Sequence, residues 1–536
     1  MSTESAAFMA EIDRLVERRM AEARTPGVAL AVTDRERLLY TRAYGVAAVE
    51  GGAPLTLTHR MEFGSIGKSV TALVLLQLQA EGRLRLDDPV ERYLPWFRVQ
   101  NAPSIRLHHL LSHTSGLIGG TDFPPDARLE VWSLRDTRTV WPPGSRFHYS
   151  NVGFKTLGLI LQEVSGRTYQ ELVAERVLAP LNMGETDAVI THALRPRLAV
   201  GHQSLYDDRP YWPGDPLVPA PWIETDTADG CLSSTAPDLA RYVRLFLNGG
   251  QAGSTPLLAP ADFRRLIAPV IETGPGEWYA LGIGRRGQDP DAVIEHSGGM
   301  LGYHAHIMAD PASGLGVAVL INGPGDPERI AAAALRAAGG HDVLRADDRA
   351  GAPDGAARWA GAFSSPAGDV IELIAAGAGV IEARFNGEAL PDPVVKGPDA
   401  LLLHHPALSR FLLERPRESG SASAFYHGGT LYRAGGETGG PEEPSPQQSS
   451  VTGHYRSHDP WDSNFRVVAR GPDFYWIPPQ GVSARLWPHA DDPDRFSLSD
   501  EDGPLPEELR FGARPDGGQV WEAWLAGNPF ARFFTP

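Results

Sequence analysis

The sequence predicts an α/β domain followed by two small antiparallel β-barrel domains. Three observations carry this. Strand-like runs lie at both ends of the first 335 residues, with helical patterns between them, as when one sheet is built from both ends of a chain. From Trp359 onward the texture changes to short alternating runs with frequent Gly and Pro and no long helical pattern. The stretch from Gly435 to Ser450, "GGETGGPEEPSPQQSS", then divides that region and is too rich in Gly, Pro and polar residues to bury a core. The expected divisions are 1–340, 341–434, a linker at 435–450, and 451–536.

Taken in order, Phe8, Ile12, Leu15, Val16 and Met20 recur at helical spacing and predict an amphipathic N-terminal helix. "GVALAVTD" and "RLLYTRAYGVA" read as two strands around a polar turn at Asp34 to Arg37. After Ser65 a helix is expected to about Glu81, with Gly82 as its C-terminal cap. Residues 107–250 read mainly as helices and loops, and "TYQE" at Thr168 fits a capping box that opens one helix. "WYALGIG", "AVIEHSG", "YHAHIMAD" and "LGVAVLING" return to strand character between Trp278 and Gly323. In the C-terminal region "WAGAF" at Trp359 and "VTGHY" at Val451 open two similar halves, their glycines 92 residues apart.

Bulk composition excludes several function classes. The 536 residues are 42% hydrophobic and 21% charged, ordinary for a soluble globular protein. A formal net charge of −17 argues against nucleic acid or an anionic membrane as partner. The lone cysteine, Cys231, excludes an intrachain disulfide and a multi-Cys zinc site. Charges interrupt the first thirty residues, so no signal-peptide core is read there, and no later apolar run reaches membrane-spanning length. The expectation is a cytoplasmic protein.

Lys plus Arg total 49, yet only Lys68, Lys155 and Lys396 are lysines. Lys68 stands three residues after Ser65, at the mouth of the apolar run "EFGSIGKSVTALVLLQLQAEGRL". Arg keeps its proton, whereas a desolvated Lys can act as a base. A serine hydroxyl is a poor nucleophile until such a base takes its proton. The chain has no Gly-x-Ser-x-Gly elbow, no His-Glu-x-x-His and no phosphate-binding Lys loop. The pairs His108–His109 and His404–His405 come with no further ligand pattern, so neither metal nor organic cofactor is expected.

Ser65–Lys68 is followed by "LLSHTSGL", by Tyr149 and Asn151 in "FHYSNVGFK", by "APLNMGETD" and "ADGCLSSTAPDLARY", and by His296, Gly298 and Gly299 in "EHSGGMLGYHAHIMAD". In order and spacing this set resembles the serine β-lactamase and penicillin-binding protein superfamily, nearest its class C-like branch of esterases and D-aminopeptidases. The resemblance covers roughly residues 10–335 and implies an antiparallel sheet flanked by helices plus a helical subdomain. The β-rich tail resembles, more loosely, the lipocalin-like barrels of D-aminopeptidases. The resemblance implies Ser65 as nucleophile, Lys68 or Tyr149 as base, and Asn151 as a hydrogen-bond partner of Lys68 and of the substrate. It further implies an oxyanion hole from the backbone N–H groups of Ser65 and Gly299, with Gly298 beside the substrate. Lys68 is expected to bond both the Ser65 hydroxyl and Tyr149.

His296 stands where β-lactamases and cell-wall peptidases carry the Lys of a Lys-Thr-Gly triplet. A mostly neutral His favours esters or uncharged amides over carboxylate-bearing substrates. Cys231 reads as a small buried hydrophobe. The expected activity is a serine hydrolase on small esters, amides or short peptides, D-amino-acyl ones included. The alternatives are a β-lactamase or D,D-carboxypeptidase, an acyltransferase or peptide cyclase, and a silent binding protein; self-association as a homo-oligomer is left open. Loops at Arg456 to Phe465 and Pro488 to Phe496 carry acidic and aromatic residues that, by the same resemblance, could meet a substrate amine.

Overall fold

In the computed structural model the described residues are 3–121, 126–341, 357–376, 380–397, 399–416, 423–435, 445–500, 502–512 and 520–533. They form two compact units. The first comprises residues 1–203 and 217–343, and the second residues 204–216 and 344–536. The expected boundary at 340 runs into 342–356, and most of the expected linker is 436–444; both segments lie outside the described residues.

The first unit is built on an eight-stranded antiparallel sheet. Its strands are β1 (Gly27–Thr33), β2 (Leu38–Gly45), β3 (Ile271–Gly274), β4 (Glu277–Tyr279), β5 (Gly284–Arg286), β6 (Val293–Met300), β7 (Tyr303–Asp310) and β8 (Leu315–Ile321). The order β2-β1-β8-β7-β6-β5-β4-β3 joins the two ends of the unit, with β1 paired to β8 from Val28↔Ile321 to Thr33↔Gly316. Every residue of β1 is buried, so the sheet is covered on both faces. Helices α1 (Thr3–Ala23), α4 (Ala236–Leu247) and α5 (Pro327–Ala337) pack on it, while α2 (Gly67–Ala80) and α3 (Asn151–Ser165) pack on one another. The run read as one strand, "WYALGIG", is two strands, because Ala280 N–H bonds Ile283 O (2.8 Å) and closes a turn between β4 and β5.

α2 is apolar on every side, the pattern of a helix enclosed by protein. Val70, Leu73, Val74, Leu75, Leu76 and Leu78 are all buried, each such side chain contributing roughly 1.5–3 kcal/mol. Its buried hydroxyls are satisfied. Ser69 bonds Ile66 O and Tyr242 (both 2.7 Å), and Thr71 bonds Ala228 O (2.7 Å) and Tyr169 (2.8 Å). Among the described residues no helix is long and apolar enough to cross a membrane.

The second unit holds two β modules, each with its own core. One is a nine-stranded sheet running from Gly361–Ser364 to Thr430–Ala434, curled but not closed, packed around Trp359, Phe363, Leu373, Phe385, Leu413 and Phe425. The other is a closed eight-stranded barrel, from Gly453–Arg456 to Asn528–Phe533, packed around Tyr455, Phe465, Phe474, Phe496, Leu509 and Phe530. The similar openings occupy similar places. Trp359 and Val451 are buried in the two cores, and Gly361 and Gly453 each start a first strand. The end of the stretch read as a linker is a short helix, Pro446–Val451, capped by Ser445. Residues 204–216, from the first half of the sequence, belong to this unit. Asn464 Nδ2 donates to Asp207 O (2.9 Å), Arg456 pairs with Asp207, and Gln480 bonds both Tyr211 N and Arg209 O. The loop from Arg456 to Phe465 is thus tied to that segment.

Candidate active site

The segment that carries Ser65 is shaped by backbone constraints. Residues Met61–Glu62 pair with Ser233–Ser234, and Phe63 N–H bonds Leu232 O (3.0 Å). The chain then turns at Gly64, whose φ of +52° suits a residue without Cβ, into the 3-10 turn Gly64–Ile66 and on into α2. Ser65 therefore sits at a helix start, where unpaired N–H groups favour negative charge. The turn lies against β6. A Cβ at Gly64 would fall 2.8 Å from Gly299 N, and one at Gly298 would fall 1.8 Å from Phe63 O. Two missing side chains bring the peptide of Gly299 beside Ser65. β5 pairs with β6 only at Val293 to Glu295, leaving the stretch from His296 to Met300 with no β5 partner along that edge.

Lys68, fully buried, donates to Ser65 Oγ (3.0 Å) and to the carbonyl of Asp229 (2.7 Å). Its contact with Tyr149 differs from the expected hydrogen bond. Nζ lies over the ring face, 4.8 Å from the centroid, and 5.6 Å from that of Phe154. The backbone of Asp229, rather than the Asn151 amide, takes the second Lys68 hydrogen bond. Asn151 is the first residue of α3, and its N–H donates to Gly119 O (2.6 Å). Ser150 is the cap, accepting from Gly153 N–H (3.1 Å) and donating to Ile118 O (2.7 Å).

His296 is buried and fully engaged. Its Nδ1 faces Ser297 O (2.6 Å), which can only accept, so the proton is on Nδ1 and Nε2 accepts from the Tyr279 hydroxyl (2.9 Å). Burial, with Lys68 and His306 nearby, lowers its pKa to about 4, partly opposed by the bond to Ser297 O. With its Nδ1–H on Ser297 O and its Nε2 accepting from Tyr279, the ring is held in its neutral form.

Two residues without an assigned role in the sequence complete the surroundings. His113, in "LLSHTSGL", packs against Tyr149 in a tilted arrangement with ring centroids 4.1 Å apart and also touches Tyr279, Phe147 and Phe154. Its Nδ1 accepts from Ser150 N–H (3.0 Å), so the ring proton is on Nε2. Burial, then Lys68 and His296, hold its pKa well below the ordinary value. Tyr279 joins His113 to His296, and burial raises its pKa, with Tyr149 adding to the effect. Their signal in the sequence was only a His and a Tyr inside quoted motifs, because their importance lies in contacts between distant segments. Cys231 is buried and donates weakly to Ala188 O (3.5 Å), and its thiol pKa is raised by burial.

The structure thus brings Ser65, Lys68, Tyr149, His296, Gly298 and Gly299 together, joined by His113, Tyr279 and the carbonyl of Asp229. Comparison with known proteins bears on the family and the fold. Residues 12–341 match the family model described as Beta-lactamase. Penicillin-binding protein 4 of Amycolatopsis lactamdurans is 30% identical over 324 residues, 56% of this chain and 82% of that protein. Among solved structures, the octameric penicillin-binding protein homologue from Pyrococcus abyssi aligns with TM-score 0.60 and 22% identity over 88% of this chain and 98% of that one. SurE aligns with TM-score 0.53 and 21% identity over 99% of this chain and all (100%) of that one, so the likeness of fold extends into the β modules. The match over 12–341, on a sheet and helix arrangement of the same kind, shows that the chain belongs to the beta-lactamase family, as a hydrolase of the serine β-lactamase and penicillin-binding protein superfamily.

Proposed function

We propose that the protein cleaves small esters or uncharged amides, D-amino-acyl ones included, through an acyl–Ser65 intermediate. Lys68, or Lys68 acting with Tyr149, takes the Ser65 proton as Oγ attacks the acyl carbon. The N–H groups of Ser65 and Gly299 stabilise the tetrahedral oxyanion. The proton passes to the leaving group, and water then releases the acyl group by the reverse sequence. The observation that carries this reading is the 3.0 Å hydrogen bond from a fully buried Lys68 to Ser65 Oγ. The neutral His296, bound to Tyr279 and Ser297 O, supports substrates without a carboxylate at that position.

The test is intact-mass analysis after exposure to a fluorophosphonate, followed by kinetics on para-nitrophenyl esters, D- and L-amino-acid anilides and a chromogenic cephalosporin. Wild type takes up one adduct, Ser65→Ala takes up none, and Lys68→Arg loses about a thousandfold or more in kcat although charge is retained. His296→Lys shifts preference toward carboxylate-bearing substrates. Full activity of folded Lys68→Arg would remove Lys68 from the chemistry. Cephalosporin turnover far above that of any neutral ester would sink the assignment of substrate class.

A further inference from the structure

Along β6 and β7 runs a line of polar side chains that the Ser65 chemistry does not use. Side chains alternate along a strand, so His296 and Gly298, on the side of the turn Gly64–Ile66, leave Glu295 and Ser297 on the opposite face. On β7, His306 is the cross-strand partner of Ser297 and shares that face. Ser297 Oγ lies 2.9 Å from His306 Nδ1, and His306 Nε2 lies 3.4 Å from Glu295 Oε2. Glu295 in turn meets Arg286 Nε (2.9 Å). His306 and Glu295 are buried, whereas Ser297 is exposed. The line thus runs outward from a buried carboxylate and ends on a surface hydroxyl.

The protons follow from the inner end. Burial alone would raise the Glu295 pKa, but the bond and charge of His306, with Arg286, lower it to about 2. Glu295 is therefore an ionised carboxylate, which can only accept. The ring nitrogen that faces it, Nε2, carries the proton of neutral His306, and Nδ1 accepts from the Ser297 hydroxyl. The Ser297 proton is thus turned inward and its oxygen lone pairs face solvent. The carboxylate polarises the ring and the ring polarises the hydroxyl, so this oxygen is a stronger acceptor than that of a free serine. Its place gives it a use. Ser297 stands two residues before Gly299, roughly 7 Å along the strand. It lies on the stretch of β6 with no β5 partner along that edge. A substrate lying along that edge, with its acyl carbon at Ser65, passes Ser297.

We propose that Ser297 is a specificity-determining residue, an acceptor for an ammonium or N–H group of the substrate, with His306 and Glu295 as the positioning residues that orient its hydroxyl. The assignment rests on the acyl–Ser65 reading and deepens it. Among small esters and amides it selects those with an amine beside the scissile carbonyl, as in D-amino-acyl compounds. A carboxylate at the same place would face the Ser297 lone pairs and be disfavoured.

Three para-nitroanilides that differ at one group test this on the full-length protein at pH 7. They are those of D-alanine (ammonium), isobutyric acid (methyl) and methylmalonic acid (carboxylate). The readout is the ratio of kcat/KM within the set, with fluorophosphonate labelling of Ser65 run in parallel. Wild type prefers the ammonium member to the methyl one and turns over the carboxylate member least. Ser297→Ala lowers the ammonium-to-methyl ratio about tenfold, as loss of one charge-assisted hydrogen bond does. Ser297→Thr, which keeps the hydroxyl, restores it. His306→Phe removes the acceptor of the Ser297 proton and lowers the ratio too, while His306→Gln, whose amide oxygen can accept, recovers part of it. A residue that only holds the sheet together would change the melting temperature and leave the ratio unmoved, and that result overturns the assignment. Ser297 is exposed, so its variants decide the case should those of His306 unfold. Wild-type preference for the methyl member overturns it. So does preference for the carboxylate member, which would mean that both ring nitrogens of His306 are protonated and the hydroxyl points outward. Turnover of none of the three by protein that is labelled at Ser65 overturns it as well. Absence of labelling would instead fail the acyl–Ser65 reading, and this assignment with it.

Discussion

A buried lysine with no ion-pair partner among the described residues, enclosed by rings, is costly to keep. Lys68 is held so, between Ser65 Oγ, the Asp229 carbonyl, Tyr149 and Phe154. Its rarity in an Arg-rich chain made it legible from the sequence. His113 was not legible, because nothing local distinguishes it from other buried histidines. It has a left-handed φ of +56°, its Nδ1 is committed to Ser150 N–H, and its Nε2 is buried with no partner among the described residues. These features make it a positioning residue for the Tyr149 ring. His113→Asn tests this. Asn tolerates a left-handed φ and can offer an oxygen to Ser150 N–H, but it supplies no ring. The variant is expected to melt close to wild type while kcat/KM falls by up to about a hundredfold, as small misplacements at reacting groups do. The basic limb of its pH–rate profile is expected to move, which a merely structural role would not cause. An unchanged profile with a lowered melting temperature would make His113 a packing residue alone.

At the scale of elements, the helix beginning after Ser65, the cap at Gly82 and the box at Thr168 were readable because each is decided within a few residues. The split of β4 from β5 was not, nor was the cap of α3 by Ser150 beside the more conspicuous Asn151. The approach of β6 to the turn Gly64–Ile66 was also hidden, since it depends on two segments more than two hundred residues apart. Gly298 and Gly299 differ in what a side chain would meet. Gly298→Ala sets a Cβ 1.8 Å from Phe63 O, so strand and turn must part and the Gly299 N–H leaves its position. A Cβ at Gly299 meets only His304 Nδ1, at 3.8 Å. Gly298→Ala is therefore expected to lose roughly 10²–10³-fold in kcat, the cost of one oxyanion donor. Gly299→Ala should stay within about tenfold of wild type, since a backbone donor survives a methyl group. Steady-state kinetics on one ester decide it, and the reverse ranking would remove Gly299 from the oxyanion hole.

Over the whole molecule, the change to β texture at Trp359 and the paired openings were visible, whereas the open edge of the first module was not, because closure depends on long-range pairing. The incorporation of residues 204–216 into the C-terminal unit was equally hidden: the anchoring bonds to Asp207, Arg209 and Tyr211 come from residues about 250 positions later. Stability against pH is a property at this scale, and Glu62 contributes to one limb of it. Its carboxyl has no hydrogen-bond or ion-pair partner among the described residues, and burial raises its pKa to about 8 from 4.5. A raised acid pKa means that the folded state holds the proton more tightly than the unfolded chain. The stabilisation is complete below pH 4.5 and is lost as pH climbs from there through about 8. On the acid side His296, lowered from 6.5 to about 4, acts oppositely, its stabilisation fading as pH drops through that window. Glu62→Gln keeps the shape and the neutral charge at every pH. Calorimetric melting at a series of pH values should show wild type losing on the order of a few kcal/mol between pH 5 and 8 relative to Glu62→Gln. The two curves should converge below about pH 5. Parallel curves across that range would mean that Glu62 is ionised in the fold, solvated or paired in a way that burial alone does not describe.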